Sequence, residues 1–159
     1  MIPAVFDCMV FLQAATRRTG PAAACLALVD DGHVGLFVSP KVLEEIHDVL
    51  NRPAIRKKFP AITDQDVLDF VEHIHNKETT VEQVPAVFQL PRDPDDEPYL
   101  DLAAAAGAAF LVTRDKDLLS LTADEAFRRQ FPTLSILDPK AFLDHVRSRI
   151  TNDTGGTKS

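Results

Sequence analysis

Four short apolar runs, Ile2–Phe6, Val34–Val38, Ala109–Thr113 and Leu134–Leu137, are the strongest constraint on how this chain folds. Each has strand length, and the sequence between them is mostly helix-patterned. Strands that alternate with helices in one domain predict an α/β fold, a parallel sheet covered on both faces. At 159 residues and 45% hydrophobic, the chain is long enough for one such domain and short for two.

Helix signals fill the intervals. Val10–Asp31 is mostly helical, with a break near Thr19-Gly20-Pro21. Pro40 suits a first helical turn, and the helix continues over Lys41–Asn51. Pro53–Pro60 is a basic loop or short helix. Thr63 caps a helix to about Asn76, with Ile62 before it and Val67, Phe70, Val71 and Ile74 inside it. Thr79–Val84 reads as extended, Pro91–Pro98 as an acidic loop, and Tyr99–Gly107 as an Ala-rich helix. Pro139–Ile150 is the last helix of a domain spanning residues 1–150. Thr151–Ser159 is polar and Gly-containing, and is expected to be a disordered tail.

Composition excludes several classes. No stretch reaches the roughly 18–20 apolar residues of a membrane span, and no basic segment precedes the first apolar run as in a signal peptide. Cys8 and Cys25 lack CxxC spacing, so free thiols in a reducing cytoplasm are expected. A net charge of −7 opposes a passive, basic nucleic-acid binder but suits carboxylates gathered around a cation.

Asp7 interrupts the apolar stretch AVFDCMVFL. A buried ionised carboxylate costs several kcal/mol unless something positive meets it. In a parallel α/β sheet, sites form beyond the carboxyl ends of the strands. Asp7 follows one predicted strand there, and Asp115 lies just past another, in LVTRDKDLL. On the helix after Pro40, Val42, Leu43, Ile46, Val49 and Leu50 form an apolar arc about 120° wide. Glu45 lies roughly 40° beyond Val49, on its margin, and Glu44 about 100° beyond the other edge. Glu45 is therefore the acid that looks along the sheet. In RDPDDEPYL, Asp93, Asp95 and Asp96 exceed what one helix cap requires. Asp117 is either a cap or a neighbour of the site. Carboxylates about 4 Å apart repel by about 4 kcal/mol at an effective dielectric of 20, so their convergence calls for shared protons or a divalent cation. Oxygen-only ligands suit Mg²⁺ or Mn²⁺. Arg52, Arg56, Lys57 and Lys58, with Arg114 and Lys116, are basic candidates to flank such a site.

The ordered blocks AVFD, SPKVLEEIHDVL and DPDDEPYLDLAAAAGAAFLVTRDKDLL resemble the PIN-domain ribonucleases, most closely those regarded as toxin components of toxin–antitoxin systems. The resemblance covers roughly residues 1–145. It implies a three-layer α/β/α sandwich and Mg²⁺- or Mn²⁺-dependent endonucleolytic cleavage of RNA. It further implies a homodimer and a small antitoxin partner that blocks the site. By position, Asp7, Glu45, Asp96 and Asp115 match the family's acidic quartet, with Asp7, Asp96 and Asp115 as metal ligands and Asp93 and Asp117 as additional acids. One position departs: Met9 stands where the family usually has Asn or a similar polar residue. That departure motivates an alternative, a weakly active or inactive module that binds RNA or an antitoxin. A haloacid-dehalogenase-type phosphatase is excluded, because its chemistry needs a second Asp where Met9 stands.

Overall fold

A computed structural model describes residues 1–82, 84 and 97–156, and only the backbone of 97 and 153–156. Within these, β1 (Ile2–Phe6), α1 (Cys8–Thr16) and α2 (Pro21–Asp30) are followed by β2 (Val34–Val38) and α3 (Pro40–Leu50). Next come α4 (Pro53–Lys58), α5 (Asp64–Lys77), β3 (Thr79–Thr80), α6 (Glu97–Ala106) and β4 (Phe110–Val112). The chain closes with α7 (Lys116–Ser120), a 3₁₀ turn (Leu121–Ala123), α8 (Glu125–Gln130), β5 (Ser135–Leu137) and α9 (Pro139–Gly156).

The five strands form one sheet in the order β3-β2-β1-β4-β5, and every pairing is parallel. Register sets Ala4 beside Leu36 on one side and Phe110 on the other, with Phe6 beside Val112. β1 is thus the central strand, and Ala4, Val5 and Phe6 are buried completely or nearly so. This is the single-domain α/β architecture expected of the apolar runs.

Strand order explains how helices cover both faces. β1, β2 and β3 step in one direction, and the chain then crosses back to β4 and β5. With right-handed crossovers, that reversal moves the connecting helices to the opposite face. On one face, aromatic side chains join α1 and α9 to the sheet. Phe6 lies with its ring centroid 5.8 Å from Phe11 of α1 and 5.9 Å from Phe142 of α9. Phe110, in register with Ala4 and so on the face of Phe6, meets Phe142 at 5.4 Å. α6 packs against β1, β2 and β4.

Local chemistry sets the helix ends. Gly20 precedes Pro21 and separates α1 from α2. Ser39 Oγ accepts the Val42 N–H at 3.2 Å ahead of Pro40. Thr63 and Asp66 form a reciprocal capping box on α5. Gly107, with φ of +63°, ends α6, and the Ala108 N–H donates back to the Ala103 carbonyl at 3.0 Å.

Two stretches differ from the sequence expectation. α9 continues past Ile150 to Gly156, through part of the tail expected to be disordered. Extending an existing helix adds a hydrogen bond per residue without a new nucleus, and the Thr151 hydroxyl donates to the Arg147 carbonyl at 2.9 Å. α8 was not anticipated: Asp124 Oδ1 caps it by accepting the Phe127 N–H at 3.0 Å, and Phe127 is buried.

Candidate active site

Asp7 is the first residue after β1, in an extended conformation, and is the N-cap of α1. Its Oδ1 accepts the Val10 N–H at 3.0 Å. The same residue that ends the strand therefore starts the helix, which explains a carboxylate inside an apolar stretch. Only 3% of Asp7 is exposed. Burial pushes its carboxyl up from 3.8 to about 6, and the charge of Asp115 adds to that rise. Hydrogen bonds from Thr113 and Val10 act in the opposite direction.

The register between β1 and β4 brings these residues together. The Asp7 N–H donates to the Val112 carbonyl at 3.1 Å, setting Asp7 alongside the fully buried Thr113. The Thr113 hydroxyl donates to Asp7 Oδ2. It also accepts the Asp115 N–H at 3.0 Å. Thr113 thus joins the two acids at the carboxyl ends of adjacent strands. Its place at the end of the apolar run AFLVT carries no sign of this role.

Asp115 is partly buried, and its Oδ1 accepts the N–H groups of Asp117 at 2.8 Å and Leu118 at 3.2 Å. Asp115, not Asp117, is the N-cap of α7. Asp117 lies exposed in the first turn.

On α3, Glu44 is exposed and Glu45 is half-buried, the difference in exposure expected from the helical arc. Glu45 Oε2 accepts the Tyr99 hydroxyl at 2.9 Å. Cys8 completes this neighbourhood. Burial, with the charges of Glu45 and Asp7, pushes its thiol up to about 12. Burial likewise holds the Tyr99 hydroxyl well above the usual phenol range. Asp93 and Asp96 lie outside the described residues.

The basic candidates fall into two groups. Arg56 bonds the Ile62 carbonyl and the Asp64 carboxylate, so its guanidinium ties α4 to the start of α5. Arg52, Lys57, Lys58, Arg114 and Lys116 are exposed. Arg52 acts electrostatically on Cys8, and Arg114 and Lys116 flank Asp115. Met9, beside Asp7 in the first turn of α1, is 50% exposed.

The donor set suits a hard divalent cation: carboxylate oxygens, one of them buried and electrostatically opposed by its neighbour. No three His, Cys, Asp or Glu among the described residues are grouped to hold a metal ion. Among the described residues, too, no helix is long and apolar enough to cross a membrane.

Comparison with curated proteins finds no significant match. A family model described as PIN domain matches residues 3–117, a span that contains Asp7, Glu45, Tyr99, Thr113 and Asp115. PIN domains are generally nucleases and typically use divalent metals. With that match over most of its length, and with the parallel sheet and the joined acids at its edge, this chain belongs to the PIN-domain family.

Proposed function

We propose that this protein is a Mg²⁺- or Mn²⁺-dependent endoribonuclease and the toxin component of a toxin–antitoxin pair. The observation that carries this reading is the link from Asp7 through Thr113 to Asp115 at the ends of β1 and β4. Asp7 and Asp115 would hold the cation, with Asp96 as a third ligand. When bound, the cation would supply Lewis acidity and offset charge on the phosphate. Glu45 would orient a water for attack on phosphorus. Val10 N–H and the Thr113 hydroxyl keep Asp7 aimed, so the carboxylate needs little rearrangement. Exposed Arg52, Lys57, Lys58, Arg114 and Lys116 hold the RNA backbone on either side.

The reading extends to a homodimer in the cytoplasm and to a small antitoxin that covers the acidic mouth. Single-turnover cleavage of end-labelled RNA tests the chemistry, with Mg²⁺, Mn²⁺ or EDTA, for wild type and Asp115→Asn. Cleavage that EDTA and Asp115→Asn both abolish supports it; cleavage indifferent to both removes it. Light scattering at tens of micromolar tests the dimer.

A second reading, a binding module with little turnover, draws on Met9, whose half-exposed thioether stands beside Asp7 in place of a polar group. Met9→Asn separates the two: a gain of about tenfold or more in metal-dependent cleavage, about 1.4 kcal/mol, marks an impaired nuclease.

A further inference from the structure

Tyr99 is a core residue with one polar end. It is only 2% exposed, and its helix α6 also buries Leu100, Leu102 and Ala103. A phenylalanine would fill the same volume, so the hydroxyl is what distinguishes this position. Buried tyrosine hydroxyls require a partner. This one bonds the carboxylate of Glu45, more than fifty residues earlier in the chain, at 2.9 Å.

Glu45 has much to lose without that bond. It sits half-buried on the margin of α3, and an unanchored glutamate samples many rotamers. Holding Oε2 restricts the whole side chain and therefore the direction of the second oxygen. The anchor also fixes which way Glu45 looks. Tyr99 is within electrostatic reach of both Asp7 and Cys8, and Cys8 is within reach of Glu45. Glu45 therefore shares one neighbourhood with Cys8, the first residue of α1, which directly follows Asp7.

We propose that Tyr99 is a positioning residue, whose hydroxyl fixes the Glu45 carboxylate toward the Asp7–Asp115 end of the sheet for the cleavage step. This role rests on the nuclease reading above. Glu45 would touch the attacking water; Tyr99 acts only through Glu45.

The test is a double-mutant cycle of Tyr99→Phe and Glu45→Ala, read by single-turnover cleavage of labelled RNA at saturating Mn²⁺ and by RNA affinity. Tyr99→Phe is expected to slow cleavage about tenfold, with RNA affinity within about twofold of wild type. In the Glu45→Ala background the same substitution should change the rate by less than about twofold, because its target is gone. Equal losses in both backgrounds would mean that the hydroxyl serves only packing, and would overturn the proposal. So would an unchanged rate in Tyr99→Phe while wild type is active; that result leaves the nuclease reading standing. A wild-type protein without metal-dependent cleavage removes the nuclease reading, and the role of Tyr99 falls with it.

Discussion

The hydroxyl of Thr113 donates to Asp7 Oδ2 across the β1–β4 pairing, joining residues 106 positions apart in the chain. Thr113→Val keeps the shape and removes the donor. It also strips the Asp115 N–H of its acceptor. The expected loss is about 1–3 kcal/mol at pH 8, where Asp7 is ionised and most needs the bond. The loss should be smaller at pH 5, and Thr113→Ser should restore most of it. Urea denaturation at the two pH values checks this.

Asp7 stores instability. Its folded carboxyl titrates near 6 against an ordinary 3.8, so the folded state prefers the protonated form. Below pH 3.8 the group is protonated in both states and costs nothing. The cost grows as pH rises from 3.8 to 6 and is complete above that, at up to about 3 kcal/mol. Asp7→Asn is therefore expected to stabilise the metal-free protein by about 1–3 kcal/mol at pH 8. Asparagine also caps a helix as well as aspartate does. The gain should vanish near pH 4. Denaturation in EDTA across this range is the measurement, and a gain independent of pH would contradict it.

A divalent ion should reverse that instability. At a hundredfold excess over Kd, binding to the folded state adds about 2.7 kcal/mol, or roughly 5–10 °C in the unfolding midpoint. Mn²⁺ titration followed by thermal unfolding should show this for wild type and for Glu44→Gln, whose side chain is exposed. Asp7→Asn and Asp115→Asn should respond weakly. Equal responses in all four proteins would deny a shared site.

The basic residues of α4 should divide by role. Arg56→Ala removes contacts with Ile62 and Asp64 and is expected to lower stability by about 1 kcal/mol. Lys57→Ala and Lys58→Ala should stay within about 0.5 kcal/mol of wild type and weaken RNA binding at low salt. Chemical denaturation and a filter-binding titration separate the two effects.

Much of this protein was legible because its signals are local. β1 and β2 have the bounds that the apolar runs Ile2–Phe6 and Val34–Val38 predict, closed by Asp7 and by Ser39-Pro40. The different exposures of Glu44 and Glu45 followed from helical geometry alone. Thr113 was not legible. A threonine at a strand end is ordinary β-sheet composition, and its role exists only once β1 pairs with β4. Tyr99 escaped for the same reason, since its partner lies on a helix from another part of the chain. α8 escaped because EAFRRQ buries only Phe127, too little for any period to show. What the residues could not display was long-range pairing, and the candidate site is built from it.

That pairing also sets when the site can exist during synthesis. β1 is made shortly before its neighbour β2, but β4 is made only after β3 and α6. Until then Asp7 has neither Thr113 nor Asp115 beside it. Domains acquire their long-range strand pairs late, after the cost of closing the intervening loops is met. A nascent chain therefore carries the first carboxylate of the pair without the second until β4 has been made, and the two can meet only after that.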